Sequence, residues 1–89
     1  MKSILCYGDS NTWGYIPGKG GRYPRDIRWP GRLERYLGAG YHVMEEGLCG
    51  RTTSYQIPLE PFRNGFEAFP MIMESAADAD LVIFMLGTN

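Results

Sequence analysis

The stretch Ile4-Leu5-Cys6-Tyr7-Gly8-Asp9-Ser10-Asn11-Thr12-Trp13-Gly14 decides how this chain folds. Ile4 to Tyr7 shows no polar alternation, which predicts a strand buried on both faces, as the strands of a parallel sheet are. Gly8 ends that strand and Asp9-Ser10-Asn11-Thr12 follow at once, with Asn11 to Gly14 read as a turn or the first turn of a short helix. In parallel sheets the loops at the carboxyl ends of the strands converge on one crevice. A hydroxyl delivered there is placed for chemistry.

Two later segments repeat the arrangement. Tyr41-His42-Val43-Met44-Glu45 is a weaker strand candidate, followed by Gly47-Leu48-Cys49-Gly50-Arg51-Thr52-Thr53. Leu81 to Leu86 is the clearest strand of the chain and runs into Gly87-Thr88-Asn89. Between the first two strands, Trp29, Leu33 and Leu37 recur at four-residue spacing behind Pro30, which predicts an amphipathic helix over 30–37 stopped by Gly38 and Gly40. Trp29 reads as a core anchor. Phe66, Phe69, Ile72 and Met73 predict a second helix over 66–76, a core stripe whose Pro70 is tolerable only in the first turn. The order β-α-β-α-β calls for an α/β fold with a doubly wound parallel sheet and right-handed crossovers.

Composition narrows the function classes. Nine basic and ten acidic residues leave a net charge of −1, so the chain as a whole has no pull toward nucleic acid or an anionic membrane. The apolar run after Met1-Lys2-Ser3 is too short for a signal-peptide core or a membrane span, and a cytoplasmic location is expected. Cys6 and Cys49 lack CxxC spacing and read as free thiols. No metal-ligand cluster, Walker loop or dinucleotide fingerprint appears, so neither a metal nor a cofactor is expected. Gly18-Lys19-Gly20-Gly21 lacks the strand-loop-helix setting of a phosphate loop. Residues 15–27, rich in glycine and proline, read as a long surface loop. Lys19, Arg22 and Arg25, with Arg28 close behind, make it locally basic. A solvated loop that borders the site or contacts another subunit is favoured over a nucleic-acid contact, and homo-oligomer contacts are expected there.

All three strands thus end in a glycine-containing polar loop. A hydroxyl, a bare backbone N–H beside a glycine and a carboxamide are the parts needed for acyl transfer: one attacks and two donate to the developing oxyanion. Ser10 could add its own N–H at the start of a helical turn.

At these residues the chain resembles a family. Gly8-Asp9-Ser10-Asn11 is similar to the first block of the SGNH (GDSL-like) hydrolases, Gly50 falls where that family has its oxyanion glycine, and Gly87-Thr88-Asn89 matches its glycine-x-asparagine block. The phrases Gly-Asp-Ser-Asn-Thr-Trp-Gly, Glu-Glu-Gly-Leu-Cys-Gly-Arg-Thr-Thr and Met-Leu-Gly-Thr-Asn resemble its arylesterase/acyltransferase branch. The resemblance implies a flavodoxin-like three-layer sheet, of which this chain would hold the first three strands and two helices. It implies Ser10 as nucleophile, the Ser10 N–H, the Gly50 N–H and the Asn89 side chain as oxyanion donors, and a short-chain or aryl ester as the small-molecule substrate. Asn11 stands where leucine is more usual.

The family's closing aspartate-x-x-histidine block has no counterpart in residues 1–89. His42 is the sole histidine and falls at the end of its strand away from the crevice. Glu45 and Glu46 are adjacent, so on a strand they face opposite ways. Asp9 is expected to brace the turn by accepting backbone N–H bonds. Arg51 is left open between meeting an acidic group and a surface role. The expectation is an N-terminal portion of a domain of roughly 200 residues, nearly inactive alone, with Leu81 to Leu86 as an apolar unpaired edge. Two other readings compete: a flavodoxin-like flavin- or phosphate-binding module, and a non-catalytic fragment that assembles with another chain.

Overall fold

The computed structural model describes all residues from Met1 to Asn89. Three parallel strands, β1 (Lys2–Gly8), β2 (Tyr41–Gly47) and β3 (Leu81–Met85), form a sheet in the order β2-β1-β3. The helices are α1 (Ser10–Trp13), α2 (Trp29–Leu37) and α3 (Gly65–Ser75). The first two strands run further than their apolar cores suggest, because a parallel ladder uses backbone groups whatever the side chains. Thus Lys2 pairs with Tyr41 and Gly8 with Gly47.

β1 explains its own lack of polar alternation. Ile4 and Cys6 point to one face, where Val43, Trp29, Leu33 and Ile83 pack; Leu5 and Tyr7 point to the other, against Phe69, Ile72, Met73 and Ala76. α2 and α3 therefore cover opposite faces, giving the three layers. Burial on both faces also silences Cys6, whose thiol is pushed up to about 11, first by desolvation and then by the nearby Glu45 charge. Cys6 and Cys49 are both free.

Trp29 opens α2 and anchors it as expected, packing on the Ile4, Cys6 and Val43 cluster. Its indole Nε1–H also donates to Thr12 Oγ1 at 3.1 Å, a bond the spacing did not announce. α3 departs from expectation at Pro70, the sixth residue of the helix and so beyond the first turn. Proline there deprives the Phe66 carbonyl of its intrahelical donor. Both residues are exposed, which lets solvent supply the bond. Phe66 is exposed and leaves the expected core stripe, while Phe69, Ile72 and Met73 keep it.

Loop 15–27 is not the free basic patch its composition suggests. Arg25 and Arg28 turn inward onto Glu45 of β2, with Arg25 Nη1 at 2.7 Å and Arg28 Nε at 2.8 Å from its carboxylate oxygens. Arg25 also reaches Glu34 of α2 at 3.1 Å, and Glu34 accepts the Val43 N–H at 2.8 Å. Arg22 donates to the Trp13 carbonyl and lies over the indole ring. Glu45 is thus a half-buried staple between strand, loop and helix. Glu46, one residue on, faces the α3 side, so the two carboxylates diverge as expected. No helix is long and apolar enough to cross a membrane.

Two outcomes follow from these contacts. The Arg28 hydrogen bond, chiefly, holds the Glu45 carboxyl below the ordinary value of 4.5. A depressed acid stabilises the fold fully above its unfolded pKa and loses that stabilisation as pH falls through the folded one. Urea midpoints are therefore expected to hold near neutrality and drop below about pH 4.5. Glu45→Gln should cost about 2 kcal/mol at pH 7 and flatten that acid limb. Thr12→Val, isosteric but lacking an acceptor, strands the indole N–H and should lower the unfolding free energy by about 1–2 kcal/mol, read from the same urea titrations.

Candidate active site

The sheet order places the carboxyl ends of all three strands side by side: Gly8 pairs with Gly47 on one flank and with Met85 on the other. The approach behind them is tight. A Cβ on Gly47 would stand 2.3 Å from the Trp13 nitrogen, so only glycine lets α1 lie across the end of β2. Backbone bonds complete the junction, with Leu48 N–H donating to the Gly8 carbonyl at 3.2 Å and Arg51 N–H to the Leu48 carbonyl at 3.0 Å.

Asp9 caps α1 as anticipated. Its Oδ1 accepts the Asn11 N–H at 2.9 Å, and its carbonyl takes the Thr12 and Trp13 N–H groups. The side chain is almost wholly buried, and its Oδ2 has no donor. This bracing aims Ser10, the first residue of α1, outward at a half-buried position. The Ser10 N–H meets no acceptor within the chain.

Gly50 sits in the turn after β2 with φ at 85°, the left-handed region that glycine enters without a Cβ penalty. Space is not what demands glycine there, since a Cβ would approach no atom closer than 3.4 Å. The Gly50 N–H, like that of Ser10, has no acceptor in the chain. Asn89 joins the cluster through its carboxamide, whose Nδ2 donates to the Arg51 carbonyl at 2.9 Å. A carboxamide has two N–H donors, so one stays available. The three residues singled out in the sequence thus belong to three loops tied to one another by short bonds.

Arg51 corrects both readings left open for it. It meets no carboxylate within ion-pair distance, and it is not on the surface: only 5% of it is exposed. Its guanidinium instead donates from Nη1 to the carbonyls of Glu46 (2.6 Å) and Gly8 (3.2 Å), and its Cζ lies 4.2 Å from the centroid of the Tyr7 ring. Burial, above all, lowers its pKa from the ordinary arginine value. Tyr7, beneath it, donates its own hydroxyl to the Gly65 carbonyl at 2.7 Å and so ties β1 to the start of α3. The one signal for Arg51 in the sequence was its place beside Gly50.

His42 lies at the opposite end of the sheet, paired with Ser3, exposed, with Nδ1 3.8 Å from a Glu34 oxygen. It takes no part in this site. Beside the strand ends lies a hollow of about 820 Å³ between the end of β2 and α3, lined by Glu46, Leu48, Arg51, Asn64, Met71 and Ile72 among others.

No family model matches the chain, and no curated protein does. Solved structures do. Est24, a carbohydrate acetylesterase from Sinorhizobium meliloti, superposes with a TM-score of 0.97 at 49% identity, over 100% of this chain and 43% of its own. The native aryl esterase of M. smegmatis gives 0.96 at 45% identity, again over 100% of this chain and 43% of that one. AlinE4, an SGNH-hydrolase family esterase, gives 0.67 at 29% identity, over 99% of this chain and 41% of that one. The chain therefore spans less than half the length of the structures it matches. Over its whole length the chain thus shares the fold of the N-terminal part of longer esterase chains, one of them an SGNH-hydrolase family esterase.

Proposed function

We propose that this chain is the N-terminal portion of a serine ester hydrolase or acyltransferase acting on short-chain or aryl esters in the cytoplasm. The observation that carries the reading is the pair of backbone N–H groups, of Ser10 and Gly50, that lack acceptors at adjoining strand ends beside the Asn89 carboxamide. Unpaired donors converging next to a hydroxyl suit an oxyanion better than they suit a neutral ligand. The esterase names carried by similar structures favour the same chemistry.

In this reading Ser10 Oγ attacks the acyl carbon and its proton passes to a general base supplied from outside these 89 residues. The carbonyl π-electrons move onto oxygen, which the Ser10 N–H, the Gly50 N–H and the Asn89 side chain receive. Collapse expels the alcohol, protonated by the same base, and leaves the acyl group on Ser10. Water or a second alcohol then repeats the sequence and frees the enzyme. Asp9 and α1 hold Ser10 at the strand end, so the nucleophile is oriented without any side chain of the base.

Loss of the base costs on the order of 10⁶ in kcat in a serine-histidine enzyme. The 89-residue chain alone is thus expected to turn over p-nitrophenyl acetate barely above the solvent rate. Substituted for the matching region of the M. smegmatis aryl esterase, it should yield a protein with turnover at least 10³-fold above that of its Ser10→Ala version. A graft that melts cooperatively yet shows no Ser10-dependent turnover would sink the proposal. Vigorous Ser10-dependent turnover by the chain alone would remove the outside base.

A further inference from the structure

Arg51 carries more connections than a structural arginine needs. Its side chain holds the last carbonyl of β1, that of Gly8, and the next-to-last of β2, that of Glu46, while its own carbonyl holds the Asn89 carboxamide that follows β3. Its N–H closes the turn that carries Gly50. One residue therefore touches the ends of β1 and β2 and the segment that follows β3.

The chemistry of the contact is unusual for its cost. Burying a guanidinium forfeits several kcal/mol of hydration, which a carboxylate ordinarily helps to repay. Here the contacting partners are neutral, two carbonyls and the face of Tyr7, and the Glu46 carboxylate acts only from beyond ion-pair distance. One guanidinium atom, Nε, is buried with no partner at all. A fold selecting only for stability would do better with an apolar side chain of similar volume. What the guanidinium supplies, and a methionine would not, is a donor nitrogen, Nη1, shared between carbonyls of two neighbouring strands, on a planar group that lies over the Tyr7 ring.

We propose that Arg51 is the positioning residue of the oxyanion site, clamping the Gly8, Glu46 and Asn89 loops so that the Gly50 N–H and the Asn89 carboxamide face Ser10. The proposal rests on the acyl-transfer reading above for its catalytic consequence, but the clamp itself is a matter of geometry. Lysine keeps the charge and can offer its ammonium hydrogens to the same carbonyls, but it lacks the planar group that lies over Tyr7, so Arg51→Lys should recover part of what Arg51→Met loses.

The test uses the 89-residue chain with two independent readouts. The first is the NMR resonances of the Gly50 amide and the Asn89 carboxamide, with the central β1 amides as reference. The second is the rate at which an alkyl fluorophosphonate labels Ser10 at pH 9, where hydroxide takes the serine proton, the Oγ–P bond forms and fluoride leaves. In Arg51→Met the Gly50 and Asn89 resonances are expected to shift and broaden while those of β1 hold, and labelling to fall about 100-fold, the loss typical of one oxyanion donor. Arg51→Lys should lie between, and decides on the same readouts if the methionine variant unfolds. Unchanged Gly50 and Asn89 resonances with unchanged labelling in either variant would overturn the clamp. Wild-type chain that never labels at Ser10 would instead overturn the nucleophile reading, with the resonances still judging Arg51.

Discussion

β1 is hydrogen-bonded along both edges and buried on both faces, and every other element is placed with respect to it. A strand in that position has no surface on which to put a polar side chain, which is why Ile4 to Tyr7 is uniformly apolar. The same confinement aims its carboxyl end. Gly8 cannot move without breaking a ladder on each side, so Asp9 and Ser10 emerge at a fixed point between the ends of β2 and β3. The candidate chemistry is placed by the one strand of the sheet that is paired on both edges.

Two charge arrangements serve that frame in opposite ways. On the α2 face, Glu45 receives Arg25 and Arg28 and is fully compensated, which pins a glycine- and proline-rich loop that has little apolar surface of its own. On the α3 face, Arg51 is buried with neutral partners only. The first arrangement contributes stability through paired charge. The second gives some up, in the manner of groups retained for placement rather than for cohesion.

The outer edge of β3 is the least finished part of the sheet. Leu81, Phe84 and Met85 are exposed there, and Phe84 shares an edge-to-face aromatic cluster with Tyr7 and Phe69. An apolar strand with unpaired backbone groups is a template for a further strand. By contrast β2, the opposite edge, carries Tyr41, His42 and the stapled Glu45, and offers no such template.

Periodicity and punctuation alone determined the element order, the parallel sheet and the two main helices, because burial on both faces and helical spacing leave marks within a few neighbouring residues. Ser10, Gly50 and Asn89 could be placed at strand ends for the same reason: each lies in a glycine-containing segment that follows a strand. Glu45 and Glu46 could be sent to opposite faces from the pleat of a strand. The partners of the long polar side chains could not be read that way. Arg25 and Arg28 looked like solvated loop charges until the fold brought Glu45 beneath them, 20 and 17 residues away in sequence. Arg51 reaches Gly8 across 43 residues and is reached by Asn89 across 38. Pro70 passed the first turn because solvent can serve the carbonyl it abandons. Such outcomes depend on which loops meet at the sheet's carboxyl edge, and only the tertiary structure decides that.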